Sequence, residues 1–309
     1  TRQGCRADGD RVRTAGCRRS GRWCGRFQDG HAASRHYRNQ HYECATANPH
    51  WGQRGESCRS AASCWPARVN DKHRCEEDSS MSGFTDRIIA SMAGGLVVSC
   101  QAYPGEPLRH PETMAQMAAA VEAGGAVAVR AQGLSDVSAV KGRVSVPVVG
   151  IWKEGDEGIY ITPTLRHARC VSAAGADVVA LDGTRRERAD GLSLAETIER
   201  LKREYDVVVM ADCGSVDDGL FAAEAGADLI GTTLCGYTGE RPKADGPDYE
   251  VIEALVKKLD GDRPVIAEGR IHTPDQARRA MDLGAHAVVV GTAITHPTSI
   301  TGWFRDALR

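Results

Sequence analysis

Lys153 and Glu268 each close a short apolar run, Val146–Lys153 and Pro264–Glu268. A lysine brought to the mouth of a closing pocket loses part of its hydration. Its proton then leaves more easily, and the neutral amine can serve as a base. The same amine could instead form a Schiff base with a carbonyl substrate. A carboxylate on the opposite rim, here Glu268, could shuttle a hydroxyl proton. Arg130 ends another run, Ala126–Arg130, and offers a planar fork of donors to a polar substrate, with Asp212 as a second polar contact. Glu268-Gly269-Arg270 and Gly291-Thr292-Ala293-Ile294 place glycines where backbone amides could approach an anion ahead of a short helix. His272, His286 and His296 do not have the spacing of metal ligands, and His296, just before Pro297, reads as a helix-start residue. The expectation is acid–base chemistry on an anionic substrate, with no metal.

These residues need a frame that brings them together. Eight apolar runs recur along the chain: Leu96–Cys100, Ala126–Arg130, Val146–Lys153, Asp177–Asp182, Val207–Asp212, Asp228–Thr232, Pro264–Glu268 and Ala287–Gly291. Runs apolar throughout suit strands covered on both faces, as in a parallel sheet. Helix-period segments lie between them. In the first, Met114, Met117, Ala118 and Val121 share one face, and Pro111 marks the entry. Gly125-Ala126, Gly175-Ala176, Gly226-Ala227 and Gly284-Ala285 each end a helix before the next strand.

Eight βα units in succession predict a closed (β/α)₈ TIM barrel over residues 81–309, with Met81–Gly94 as a short helix closing its bottom. A doubly wound open sheet is the alternative, but Gln101–Pro107 after the first strand has no Gly-rich dinucleotide fingerprint. Barrels of this kind work at the carboxyl ends of their strands. That rim should carry Gln101, Arg130, Lys153, Asp182, Asp212, Thr232–Thr233, Glu268 and Gly291–Thr292. Loops seven and eight, with Gly269, Gly291 and Thr292, form the expected phosphate site.

The first eighty residues are of another kind. They carry 15 Lys+Arg against 9 Asp+Glu, whereas residues 81–309 carry 24 against 32. They hold seven of the eleven cysteines and no Leu, Ile or Met, too little apolar surface to offset chain entropy. Cys5, Cys17, Cys24, Cys44, Cys58, Cys64 and Cys75 make no C-x-x-C pair, which argues against a zinc module. An odd cysteine count without an export signal argues against a disulfide domain. A single lysine, Lys72, argues against a nucleic-acid arm. Residues 1–80 are expected to be a disordered extension, or upstream DNA translated past a start at Met81. No stretch is apolar for long enough to span a membrane. Neither a membrane nor a nucleic-acid partner is expected, and Cys100, Cys170, Cys213 and Cys235 read as reduced thiols of a cytoplasmic protein.

The chain from 81 onward resembles the N-acetylmannosamine-6-phosphate 2-epimerases. The resemblance rests on Val97-Val98-Ser99-Cys100-Gln101-Ala102, Arg130-Ala131-Gln132-Gly133, Gly150-Ile151-Trp152-Lys153 and Tyr160-Ile161-Thr162-Pro163-Thr164. It continues through Ala180-Leu181-Asp182, Met210-Ala211-Asp212-Cys213, Thr232–Thr238, Glu268-Gly269-Arg270-Ile271 and Val289–Thr295. It implies a cofactor-free interconversion of N-acetylmannosamine 6-phosphate and N-acetylglucosamine 6-phosphate in sialic acid breakdown. Lys153 and Glu268 fall on the family's catalytic pair. Gln101, Arg130 and Asp212 fall on substrate contacts, with Arg270 beside them, and Gly269, Gly291 and Thr292 fall on the phosphate site. The resemblance also implies a homodimer, built partly from the last helix, Thr298–Leu308. Gly183 and Gly214 stand where the family often has Ala and Ser, and both are expected on rim loops that affect substrate contacts. The alternatives are another phosphosugar isomerase or an aldolase on the same barrel, and, more distantly, a nucleic-acid-binding protein acting through the basic arm.

Overall fold

The computed structural model describes residues 83–309, so the expectations for residues 1–80 lie outside the described residues. Residues 83–92 form the first helix, α1. The strands are β1 (Leu96–Cys100), β2 (Ala128–Gln132), β3 (Val148–Ile151), β4 (Val178–Asp182), β5 (Val208–Asp212), β6 (Leu229–Gly231), β7 (Val265–Glu268) and β8 (Ala287–Val290). Between them run α2 (Pro111–Ala123), α3 (Leu134–Lys141), α4 (Leu165–Ala173), α5 (Leu194–Glu204), α6 (Val216–Glu224), α7 (Tyr249–Leu259) and α8 (Pro274–Asp282). After β8 come the four-residue α9 (Thr292–Thr295) and α10 (Pro297–Ala307). All neighbouring strands pair in parallel, and β8 returns to β1 through Leu96↔Val288, Val97↔Val289 and Val98↔Val290. The sheet is a closed barrel in sequence order. The (β/α)₈ expectation holds.

Because strand side chains alternate, the two faces of each strand have separate fates. Val97, Ala128, Val149, Val178, Val208, Leu229, Ile266 and Ala287 fill the barrel together with Met92 of α1, while Phe84, Ile88 and Ile89 pack beneath. The helix expected to close the bottom does so. Val98, Val129, Val148, Val179, Val209, Ile230 and Val265 face outward onto the helices, against Met114, Ala118, Val171, Ile198, Leu201 and Leu255. The glycines of the four Gly-Ala pairs all take positive φ, from 94° to 101°. The following alanines are all buried. In two units the next residue, Asp177 or Asp228, accepts from the amide of Val148 or Val209 on an adjacent strand and from Lys141 or Lys202. These aspartates therefore lie in the helix-to-strand turns, ahead of the strands that the hydropathy pattern had included them in.

β2 is displaced as a whole, beginning at Ala128 and ending at Gln132, each two residues later than expected. Ala126 still closes α2 by donating to Val121, and Val127 donates to Leu96. Arg130 is consequently a mid-strand residue pointing into the barrel, rather than one at the strand's end.

Candidate active site

The polar residues follow from the same alternation. Continuing each inward-facing apolar series by two residues gives Ser99 and Gln101 after Val97, Arg130 after Ala128, and Lys153 after Val149 and Ile151. It gives Asp182 after Ala180, Asp212 after Met210, Thr233 after Leu229 and Gly231, Glu268 after Ile266, and Gly291 after Val289. The upper layer of the barrel interior is thus polar where the lower layers are apolar. A cavity of about 570 Å³ opens there. Gln101, Arg130, Lys153, Glu268, Gly269, Arg270, Gly291 and Thr292 all line it, and so do Ser99, Tyr103, Tyr160, Thr233, Tyr237 and His296.

Arg130 is the hub, buried to 1% exposure. Its Nη1 and Nη2 donate to the two oxygens of Asp212 at 3.1 and 2.6 Å, and Nη1 also donates to Glu268 Oε2 at 2.7 Å. Thr233 Oγ1 donates to Asp212 Oδ1 at 2.6 Å. Asp212 is fully buried and lies behind Arg130, its oxygens turned to Arg130 and Thr233 rather than to the cavity. The expected substrate contact is therefore placed as a support for Arg130. Asp182 is also fully buried away from the cavity, bound to Thr184 and Arg186.

Lys153 stands across the cavity. Its Nζ donates to Gln101 Oε1 at 2.9 Å, and Gln101 Nε2 donates to Ser99 Oγ at 2.6 Å. Lys153 begins a hairpin outside the barrel, paired antiparallel with Ile161. The far end of that hairpin is pinned by Thr162, a buried β-branched residue at φ 45°. Such a conformation costs of order 1–3 kcal/mol and persists only where neighbours enforce it. Here Thr162 N donates to Trp152 O, Thr162 Oγ1 accepts from Trp152 N, and the same hydroxyl donates to Ala180 O at 2.7 Å. The strain is spent on fixing the base of Lys153.

Burial strips water from the Lys153 amine and the neighbouring Arg130 cation adds to the effect, so its pKa lies below the ordinary lysine value. Burial works in the opposite direction on Glu268, raising its pKa to about 7 against the pull of Arg130. A lysine shifted down and a carboxyl shifted up, both facing one cavity, are displaced toward each other as an acid and a base that trade protons would be.

At the side of β7 and β8, Gly269 has φ 118°, which favours glycine, and a side chain on Gly291 would come within 3.3 Å of Ser99 Cβ. The first amides of α9, from Thr292, have no partners within the helix. Arg270 at φ 55° donates to Gly246 O and Cys235 O and stacks 5.4 Å from the Tyr237 ring centroid, so it also braces the β6–α7 loop. Gly183 and Gly214 are not cavity residues. Both are buried, and added Cβ atoms would meet Ala211 at 2.6 Å and Thr238 at 2.4 Å. Their lack of a side chain answers to packing behind the rim.

Thr233 lies at the cavity as the rim reading expects, and among the residues that reading left out Ser99 carried a usable signal, since it continues an inward series. Tyr103, Tyr237 and His296 stand on loops whose course has no such period.

A (β/α)₈ barrel with an acid–base pair and a cationic cavity at the carboxyl ends of its strands defines a barrel enzyme. Comparisons with known proteins are specific about which kind. The family described as "Putative N-acetylmannosamine-6-phosphate epimerase" matches residues 114–309. A protein of Caldanaerobacter subterraneus named "Putative N-acetylmannosamine-6-phosphate 2-epimerase" is 50% identical over 220 residues, 70% of this chain and 92% of its own. One of the same name from Klebsiella pneumoniae is 46% identical over 219 residues, covering 70% and 90%. The solved structure of the N-acetylmannosamine-6-phosphate 2-epimerase from Clostridium perfringens matches with a TM-score of 0.68 at 38% identity, over 71% of this chain and 96% of that one. The chain belongs to the N-acetylmannosamine-6-phosphate epimerase family.

Proposed function

We propose that the protein interconverts N-acetylmannosamine 6-phosphate and N-acetylglucosamine 6-phosphate by moving a proton at C2. The observation that carries this reading is the opposition of Lys153 and Glu268 across one cavity, with their pKa values displaced toward each other. In the open-chain sugar the aldehyde acidifies the C2 proton. Lys153, as the neutral amine, takes that proton, and the electron pair moves through the C1–C2 bond onto the aldehyde oxygen as an enolate. Once the C1–C2 unit has turned in the cavity, the Lys153 ammonium gives a proton to the opposite face of C2, which restores the aldehyde with inverted configuration and the neutral amine. Glu268 accepts and returns the hydroxyl proton in ring opening and closure. No electron is gained or lost overall, so the residues named here suffice without a redox cofactor.

Gly269, Gly291 and Thr292 would hold the phosphate on backbone amides, with Arg270 supplying charge nearby. Arg130, locked by Asp212, would present donors to the sugar oxygens beside Glu268. Anchoring the phosphate fixes C2 relative to Lys153, which is the proximity contribution.

Assay of the phosphosugar interconversion across pH tests the assignment. If Glu268 must be ionised to accept the hydroxyl proton, kcat/KM rises with pH through a midpoint near 7. Glu268→Gln should lose that limb along with ~10²-fold or more of the rate. The variant separates Glu268 from the phosphate's own second ionisation, near pH 6. A wild-type limb that persists in Glu268→Gln would reassign it to the substrate.

We further infer a homodimer formed through the last helix. That helix spans Pro297–Ala307 and has no buried residue, while Trp303, Phe304 and Leu308 are 41%, 72% and 89% exposed. Beside it, an apolar groove of about 430 Å³ is lined by Leu96, Val288, Val290, Ala277, Met281 and Ile294. A helix with an uncovered apolar face and a barrel wall with an uncovered groove suit reciprocal exchange between two copies. Phe304→Asp should shift the protein from dimer to monomer by analytical ultracentrifugation, and a monomeric wild type would end this reading. Cys100, Cys213 and Cys235, as buried free thiols, fit a reducing cytoplasm. Among the described residues no helix is long and apolar enough to cross a membrane.

A further inference from the structure

The β1–α2 loop, residues 101–110, borders the cavity and is fastened through Glu106 to the segment that follows β8, the strand next to β1. Tyr103-Pro104-Gly105-Glu106 is a tight turn in which Glu106 N donates to Tyr103 O at 3.1 Å, with Gly105 at φ 86° after Pro104. Glu106 divides its carboxylate between two partners. One oxygen accepts from the amide of Tyr103 at 3.2 Å, and the other is hydrogen-bonded to Nε2 of His296, 190 residues later. His296 is the N-cap of α10, and its Nδ1 accepts from the amide of Ser299. That acceptor role puts the imidazole proton on Nε2, aimed at Glu106. The His296 ring meets Tyr103 edge-on, with ring centroids 5.5 Å apart, and the Tyr103 ring centroid lies 5.9 Å from Lys153 Nζ. Tyr103 and His296 line the cavity, whereas Glu106 does not.

We propose that Glu106 and His296 form a clasp that seats the Tyr103 ring over the cavity beside Lys153, making Glu106 a positioning residue for the bound phosphosugar. Tyr103 is 54% exposed and sits on a loop, so little else in its surroundings fixes the ring. An aromatic face held at the mouth gives the apolar side of a sugar a surface to lie on. The clasp also ties the loop after the first strand to the segment after the neighbouring eighth, on the side of Gly291 and Thr292. This inference rests on the proposed phosphosugar reaction only for its substrate; the clasp itself is a property of the loop.

The test pairs kinetics with amide exchange on the full chain. Glu106→Ala, His296→Ala and Tyr103→Ala should each raise KM for N-acetylmannosamine 6-phosphate about tenfold with kcat within about twofold, the scale of one charge-assisted hydrogen bond. Combining Glu106→Ala with Tyr103→Ala should add nothing further, because the first acts through the second. Glu106→Gln keeps one acceptor oxygen and should fall between wild type and Glu106→Ala. A purely structural carboxylate would lower the melting temperature and leave KM of the folded enzyme unchanged, and unchanged KM or additive losses would overturn the proposal. Amide exchange over residues 101–106, measured without sugar, separates the clasp from the reaction. It should accelerate alike in Glu106→Ala and His296→Ala, even if the wild type proves inactive on this sugar. Unaltered exchange in both would overturn the clasp by itself.

Discussion

Lys153→Ala should lower kcat by ~10³-fold or more while leaving the affinity for N-acetylmannosamine 6-phosphate within several-fold of wild type. The asymmetry follows from where Lys153 sits. Its amine faces the cavity from the β3 side and is held there by Gln101, while the residues proposed for the phosphate belong to the other side, after β7 and β8. Removing the amine takes away the base and leaves the anchor. Lys153→Arg should be equally inactive, because a guanidinium stays protonated and cannot accept the C2 proton. Binding by calorimetry together with single-turnover rates checks both halves. Near-normal turnover in either variant would remove Lys153 from the chemistry.

The second large effect is on stability. Arg130→Ala should destabilise the fold by about 3–5 kcal/mol, because it leaves the fully buried Asp212 without its counter-charge. Arg130 is 1% exposed, binds Asp212 through both terminal nitrogens and reaches Glu268 as well. A loss of that size is a large part of the 5–15 kcal/mol typical of a domain. Arg130→Lys should recover little, since one ammonium cannot reproduce the planar fork shared by two acids. Arg130→Met combined with Asp212→Asn should be less damaged than the separate losses add up to, because the second change removes the charge that the first exposed. Urea denaturation of the single and double variants measures this coupling. Strict additivity would mean that the triad is not an electrostatic unit.

The sequence carried the barrel because each of its eight units repeats the same physics: an apolar strand, a one-faced helix, and a glycine that ends the helix. Its boundaries were less legible. Ala126 and Val127 look like strand residues, but their amides serve the end of α2 and the edge of β1. The same two-residue error made Arg130 look like a rim residue when it is a buried interior one. The surroundings of Asp212 were illegible for a related reason: a polar residue after an apolar run signals the rim but not that its carboxylate is engaged by Arg130 and Thr233. Tyr103, Glu106 and His296 gave no periodic signal because their partnership spans 190 residues and is made between loops. Gly183 and Gly214 read as substrate variations in the sequence, which does not show that neighbouring side chains fill the space a Cβ would need.

Proton transfer at C2 by Lys153 is read out by isotope exchange. The protein is incubated with N-acetylmannosamine 6-phosphate in D₂O, and the C2 and anomeric protons are followed by NMR. The account predicts N-acetylglucosamine 6-phosphate carrying deuterium at C2 with the wild type, and neither epimer nor exchange with Lys153→Ala. Epimer formed with its original proton fully retained at C2, or exchange that continues in Lys153→Ala, would contradict it.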